Sequence, residues 1–462
     1  MDTQSVIFDP ELIQRYDTSG PRYTSYPTAV QFHEDFDETR YQQLARQSNQ
    51  GHPPLSLYFH IPFCNTVCFY CGCNKVVTKD RSRSAPYLDY LYKEMALQAQ
   101  LFDTDRVVDQ LHWGGGTPTF LSHEEIHALF QHTRRYFNLR NDDKGEYSIE
   151  IDPREATAET IALLREEGFN RLSLGVQDFD PKVQKAVNRI QSEAVTQTVL
   201  DAARQEGFHS LSIDLIYGLP HQSVDSFIRT LDKIIEVSPD RISVFNYAHM
   251  PKLFKPQRRI NEAELPSADE KLRILQQTIT HLTQAGYVYI GMDHFAKPED
   301  ELTIAQRSGS LYRNFQGYAT HADCDLIGFG ATSIGKVANS YSQNLRALDD
   351  YYAVLDGGHL PIFRGIELTP DDLLRRAIIM DLMCHFRLDI QKLEQDHNLS
   401  FQDYFAHAWQ ALDKMQEDGL LTFDSRHIQV LPAGRLLIRN ICMIFDQYLQ
   451  QQQTQQRFSK VI

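Results

Sequence analysis

Apolar runs alternate with amphipathic stretches over the first half of the chain. LSLYFHI (55–61), VDQLHWG (108–114), EYSIEID (146–152), NRLSLGVQ (170–177), LSIDLIYG (211–218) and RISVFNYA (241–248) each read as a short buried strand, and each precedes a segment long enough for a helix. The helix after the second strand is the best marked. Ser122 and Glu125 form a capping box there, and Ile126, Leu129, Phe130 and Phe137 share one face at helical spacing. Six strand–helix units with strands buried on both faces predict a parallel sheet of the α/β class, as an open doubly wound sheet or as an incomplete (β/α) barrel. Periodicity alone does not choose between them.

After GIELTPDDLLRRAIIMDLMCHFRLD (365–389) the pattern turns mainly helical, with a short strand pair around LLTFDSRHIQVLPAG. This predicts a small winged C-terminal domain. The expected division is an N-terminal arm and lead-in (1–50), a catalytic body (51–363) and a C-terminal helical domain (364–462). The arm, GPRYTSYPTA, is rich in residues that favour extended chain. The glutamine-rich stretch 447–458 reads as a solvated helix end.

Composition narrows the function classes. A net charge of −15 argues against a general nucleic-acid binder, and the winged segment offers no basic recognition helix. An anionic substrate must therefore meet a local basic patch. No 18-residue apolar run spans a bilayer, and MDTQSVIFDPELIQRYD lacks the features of a secretory signal, so a cytoplasmic location is expected, where thiols stay reduced.

The polar residues gather where strands end. The cysteine loop follows the first strand and GGGTPT (114–119) the second; Glu150 and Asp152 close the third, Gln177 and Asp178 the fourth; Asp214 lies in the fifth, and Asn246 and Ala248 close the sixth. In a (β/α) barrel that carboxyl face carries the active site, which favours the barrel reading. Four of the seven cysteines, Cys64, Cys68, Cys71 and Cys73, fall within ten residues. The C-x3-C-x2-C spacing suits three thiolates around one cuboidal [4Fe–4S] cluster with its fourth iron open. A structural zinc site would usually use paired knuckles separated by a longer spacer, so the cluster is favoured over zinc. Cys324, Cys384 and Cys442 are isolated and read as buried thiols. The glycines before Thr117 let backbone approach a ligand's polar end.

The cysteine loop followed by GGGTP resembles the radical S-adenosylmethionine superfamily. Within it, the whole chain is similar to the oxygen-independent coproporphyrinogen III oxidase family. The resemblance is carried by SGPRYTSYPTA (19–29), SLYFHIPFC, CGCNK, LHWGGGTPT, IEIDPRE, GFNRLSLGVQDF, VNR, IDLIYGLP, SVFNYAH, GMDHFA, RNFQGY, GRLLIRNICM and the terminal FSKVI. It implies an incomplete (β/α)6 radical-SAM barrel in which Cys64, Cys68 and Cys71 ligate one [4Fe–4S] cluster. It also implies two S-adenosylmethionine molecules. Tyr58, Gly115, Glu150 and Ile334 would contact the first, and Tyr70, Gly116, Thr117, Gln177, Arg189, Asp214 and Ala248 the second. The implied reaction converts two propionates of coproporphyrinogen III to vinyl groups without O2, with a cellular electron donor and an electron acceptor as partners, no nucleic acid, no membrane insertion and a monomeric state.

Cys73 and Glu150 are the residues expected to serve the reaction itself; a fourth thiolate on the cluster would leave no iron open, so Cys73 is not expected to be a ligand. Arg22, Tyr23 and Arg313 are candidate partners for the substrate's carboxylates. Two other readings stand beside this one. A haem chaperone of the same superfamily would share the cluster cysteines, but such relatives resemble a shorter N-terminus and an aromatic residue in place of Cys73. A metal- or DNA-binding regulator rests on the winged pattern alone.

Overall fold

A computed structural model of the chain describes residues 6–321 and 324–451. The chain forms two compact units, each assembled from stretches that are separated in sequence: one from 32–274 and 323–367, the other from 1–31, 275–322 and 368–462.

In the first unit, β1 (Leu55–Ile61), β2 (Val107–Gly115), β3 (Glu146–Ile151), β4 (Arg171–Gln177), β5 (Ser210–Tyr217) and β6 (Arg241–Asn246) are the six expected strands. Each pairs in parallel with its predecessor. The order never reverses, and this answers what periodicity left open. A doubly wound sheet has a switch point where the order turns back, whereas a barrel-type sheet runs on in one direction. On its other side β1 pairs in parallel with β7 (Asp325–Phe329). The sheet then continues antiparallel through β8 (Ile334–Val337), β9 (Ser340–Asn344) and β10 (Ile362–Glu367). Among the described residues the strands form an open sheet and close no barrel.

Helices α1 (Ser84–Ala99), α2 (His123–Tyr136), α3 (Ala158–Glu167), α4 (Glu193–Gln205) and α5 (Val224–Val237) follow β1 to β5. The capping box of α2 is complete: Ser122 Oγ accepts from Glu125 N at 3.2 Å, and Glu125 Oε2 accepts from Ser122 N at 2.9 Å. Between sheet and helices, Trp113 lies 6.1 Å from Phe59, 5.6 Å from Phe130 and 5.0 Å from Phe169, ring centre to ring centre, and all four are fully buried. Burying each phenylalanine is worth roughly 2–3 kcal/mol, so this cluster holds β1 and β2 firmly against α2 and the turn that follows α3.

The second unit contains the winged element. Helix Pro370–His385 is followed by a three-stranded antiparallel sheet with Arg387–Asp389 and Leu421–Phe423 flanking His427–Val430. The N-terminal arm is bound within this unit. Tyr23 and Tyr26 are buried; Tyr23 Oη donates to Asp446 Oδ2 at 2.9 Å, and Arg439 Nε donates to Pro21 O at 2.8 Å. Arg22 pairs with Asp293. The two arm residues proposed for substrate carboxylates are thus engaged by carboxylates of the unit itself. Arg313 is buried with its guanidinium 4.7 Å over the Tyr318 ring. Cys324, Cys384 and Cys442 are buried as expected. Of the glutamine-rich stretch, Gln447–Gln451 is helical; the remainder and the terminal FSKVI lie outside the described residues. Among the described residues, no helix is long and apolar enough to cross a membrane.

Candidate active site at the carboxyl ends of the strands

The cysteine loop is pinned at both ends. Phe63–Cys64 pairs in parallel with Val76–Val77, Val76 N donates to Pro62 O at 2.7 Å, and Thr78 N donates to Cys64 O at 3.0 Å. Within the loop, Phe69 N donates to Val187 O at 2.9 Å, tying it to the segment that carries Arg189. Three sulfurs receive donors. Cys64 Sγ accepts from Thr117 Oγ1 at 3.7 Å, Cys68 Sγ from Arg189 Nη1 at 3.6 Å and Arg154 Nη2 at 3.8 Å, and Cys71 Sγ from Cys73 N at 3.4 Å. Burial pushes the Cys64 thiol up to about 11, while the Cys73 thiol and then the Lys75 ammonium bring Cys71 down to about 5 against the effect of burial. A set of three thiols on one loop, each met by N–H or O–H donors, suits an iron–sulfur cluster, whose sulfurs are stabilised by such bonds.

The glycine turn is required sterically. Gly115 has φ 107°, and a Cβ there would lie 2.4 Å from the His60 ring; at Gly116 it would lie 2.7 Å from Phe63 O. The turn continues the pairing with the cysteine loop, since Gly116 N donates to Ile61 O and Thr117 N to Phe63 O, both at 2.8 Å.

Residues in register on neighbouring strands point to the same face. Tyr58 is in register with His112 and His112 with Ser148; one pleat on, Glu150 is in register with Ser173; Gly175 is in register with Asp214 and Asp214 with Ser243. This stacks a polar row across six strands. Glu150 Oε2 accepts from Gly115 N at 3.0 Å, and Glu150 Oε1 lies 3.4 Å from His112 Nε2. The Ser148 hydroxyl meets His112 Nδ1 at 2.6 Å, and the Tyr58 ring stacks on His112 at 5.8 Å. His60 Nε2 faces the carbonyl of Asn74 at 3.1 Å, which only accepts, so this nitrogen carries the proton and Nδ1 accepts from Tyr58 Oη, also at 3.1 Å. Burial pushes the Glu150 carboxyl up, but His112 and the Gly115 N–H outweigh it, and the net direction is down. Asp214 goes the other way, to about 6, through burial and then the charge of Glu150, against hydrogen bonds from Ser173 and Ser243.

Arg189 is 6% exposed and divided among three groups: Nη1 to Cys68 and to Asp152 Oδ2 at 3.1 Å, Nη2 to Gly175 O at 2.5 Å. Its Nε is buried without an acceptor among the described residues, a donor left for a ligand to satisfy. Asp152 also binds Arg154, at 2.7 and 3.0 Å.

These groups share one cavity of ≈ 180 Å³. Its wall contains Cys64, Cys68, Cys71 and Cys73; Tyr70, Gly115, Gly116 and Thr117; and Glu150, Gln177, Arg189 and Asp214. Three expected residues stand outside the wall. Tyr58 lies beneath it against His112. Ala248 O accepts from Gln257 Nε2 at 3.3 Å, and the same amide donates to Tyr70 O at 2.9 Å, so Gln257 ties Ala248 to the cysteine loop. Ile334 opens β8 next to Gly328, which is in register with Tyr58. The wall also includes Asp152, named above as a polar strand end, and Lys75, Ser173 and Gly175, which sequence reasoning did not select; His60 and His112 support it from behind. The two histidines had a signal, a polar ring amid apolar strand residues; Ser173 had none.

Comparison with known proteins is consistent along the whole chain. Residues 58–234 match the radical SAM superfamily and 368–437 the HemN C-terminal domain. An oxygen-independent coproporphyrinogen III oxidase from Pseudomonas aeruginosa is 53% identical over 99% of both chains, and one from Escherichia coli is 51% identical over 100% of both. The solved structure described as coproporphyrinogen III oxidase (HemN) from Escherichia coli, a radical SAM enzyme, superposes with a TM-score of 0.91 at 50% identity, covering 96% of this chain and 100% of that one. With the cysteine loop, the glycine turn and the polar row in place, the chain belongs to the oxygen-independent coproporphyrinogen III oxidase family of the radical SAM superfamily.

Proposed function

We propose that the chain converts coproporphyrinogen III to protoporphyrinogen IX without O2. Each of two propionate side chains loses CO2, one β-hydrogen atom and one electron and becomes a vinyl group. A [4Fe–4S] cluster with S-adenosylmethionine supplies a 5′-deoxyadenosyl radical, chemistry that no acid or base of the protein provides. Cys64, Cys68 and Cys71 would hold the cluster, and the donors on their sulfurs would stabilise its charge.

The observation that carries the reading is the convergence, in one cavity, of three donor-bonded thiols, a carboxylate held ionised and a buried arginine with an unmatched N–H. Glu150, backed by His112, suits an amino or hydroxyl group of a first S-adenosylmethionine whose other contacts are Tyr58, Gly115 and Ile334. Arg189 Nε suits the carboxylate of a second, beside Tyr70, Gly116, Thr117, Gln177, Asp214 and Ala248. Asp214, titrating near 6, is able to accept or donate a proton there. Cys73, exposed at the cavity, positions the second cofactor or relays a hydrogen atom or electron.

We assign this chemistry to 51–363 of a monomeric, cytoplasmic protein that takes electrons from a separate donor and returns them to a separate acceptor. Anaerobic incubation with coproporphyrinogen III, S-adenosylmethionine and a reductant tests the reading. The expected products are the divinyl porphyrinogen and 5′-deoxyadenosine. Tight haem binding with no turnover would replace it with the chaperone function.

A further inference from the structure

The cysteine loop returns to the surface along Val76–Val77, whose partner strand is Phe63–Cys64. Thr78 N donates to Cys64 O at 3.0 Å, so a surface strand lies one hydrogen bond from the backbone of a proposed cluster-holding residue. Val77 is 44% exposed, a large apolar side chain outside the wall of the cofactor cavity. Lys75 turns to the cofactor cavity, donating to Cys71 O and Cys73 O, but the segment beyond it to 83 carries Lys79, Arg81 and Arg83 against a single carboxylate, Asp80, which is occupied in capping Ser82. Arg81 is engaged by Glu155 and Phe120 O. Lys79 and Arg83 are exposed, and their side chains make no hydrogen bond or ion pair among the described residues. This cationic run stands on a chain whose net charge is −15.

We infer that this surface is the docking site for a small acidic one-electron carrier protein, which seats the edge of its prosthetic group over Val77 and passes its electron toward Cys64. The inference rests on the proposed reaction, which consumes an electron from outside. In the transfer the reduced carrier is oxidised by one electron and the centre held by Cys64, Cys68 and Cys71 is reduced by one; no bond forms and no proton moves. Three features favour such a partner. Electron transfer falls steeply with distance, and the pairing of Val77 with Cys64 gives a short path from this surface to the loop. A small apolar contact ringed by unpaired charge is the anatomy of transient redox encounters, which need fast arrival and fast release more than tight binding. An acidic partner is repelled by most of a chain this negative and attracted here, which orients it.

The test compares two reductants on the anaerobically reconstituted holoenzyme: dithionite, which needs no docking, and a purified reduced acidic [2Fe–2S] ferredoxin. Lys79→Glu with Arg83→Glu, both on the surface, should keep the iron content and the dithionite-driven bleaching of the cluster absorbance. The second-order rate of reduction by ferredoxin should fall about tenfold or more at low ionic strength. Added salt should slow the unaltered protein and leave the variant nearly unaffected. Val77→Asp should act in the same direction. Equal ferredoxin rates in both proteins would overturn the docking site, and so would parallel loss of dithionite reduction, which would make the two cations part of cluster assembly. An unaltered protein that binds no iron would overturn the proposed reaction itself and this inference with it.

Discussion

The two ends of the same strands carry two cavities, and the larger is the less informative. At the amino ends of β2 to β4 a cavity of ≈ 650 Å³ is lined by Arg134, Arg140, Arg165, Asp143, Tyr147 and Asn170 among others. Its three arginines are matched within the fold: Arg165 with Asp143 at 2.5 Å, Arg140 with Asp109 at 2.6 Å, Arg134 with Glu167 at 3.1 Å, while Asn170 Nδ2 donates to Gly145 O at 2.9 Å. At the carboxyl ends the cavity is ≈ 180 Å³ and unfinished, with an orphan Arg189 N–H and two carboxylates driven apart in pKa. A self-satisfied groove has little left to offer a ligand. A buried polar group without a partner costs about 1–3 kcal/mol, which a ligand recovers on binding.

The contrast is broken most severely at the cysteines. Cys68→Ser should reduce bound iron from about four per chain to background with total loss of turnover. Cys73→Ser should keep the iron and the paramagnetic signal of the reduced cluster and still lose most turnover; loss of the cluster would make Cys73 a ligand, and full activity a bystander. The next effect is on stability. A carboxyl whose folded pKa lies above its unfolded value contributes stability that is complete below the unfolded value and is lost as pH rises through the folded one. For Asp214 that window runs from 3.8 to about 6. The stability of apoprotein Asp214→Asn relative to the unaltered chain should therefore grow by about 3 kcal/mol between acid and neutral pH, as denaturant melts at several pH values would read. A constant difference would place Asp214 in a solvated setting.

Glu150→Gln removes a charged acceptor and should weaken S-adenosylmethionine binding by about 10- to 100-fold, or roughly 1.5–3 kcal/mol, with iron content unchanged. Calorimetric titration measures it, and unchanged affinity would reduce Glu150 to a strand end. At the opposite cavity Arg165→Ala breaks a partly exposed pair and should cost under about 1 kcal/mol of stability with no change in turnover. A loss of activity there would erase the distinction between the two ends.

Local chemistry made much of this legible. The six strands fall within two residues of their expected bounds because the apolar residues that pack under the helices recur along each strand and helices follow them with marked caps, as Ser122 and Glu125 show. The cysteine spacing and the glycine turn were readable for the same reason: a loop that wraps a compact group and a backbone without room for a Cβ are properties of a few consecutive residues. Register is not. That β1 sits between β2 and β7, that His112 stands between Ser148 and Glu150, and that Ser173 reaches Asp214 are pairings across tens to hundreds of residues. The same holds for the division of Arg189 among Cys68, Asp152 and Gly175, which leaves its Nε unmatched. The sequence by itself determined which chemical groups this protein carries and on which strand ends. Only the tertiary structure decided which carboxylate is held ionised and which is raised toward neutrality, because a pKa is set by burial and by neighbouring charge, and both come from contacts between strands distant in sequence.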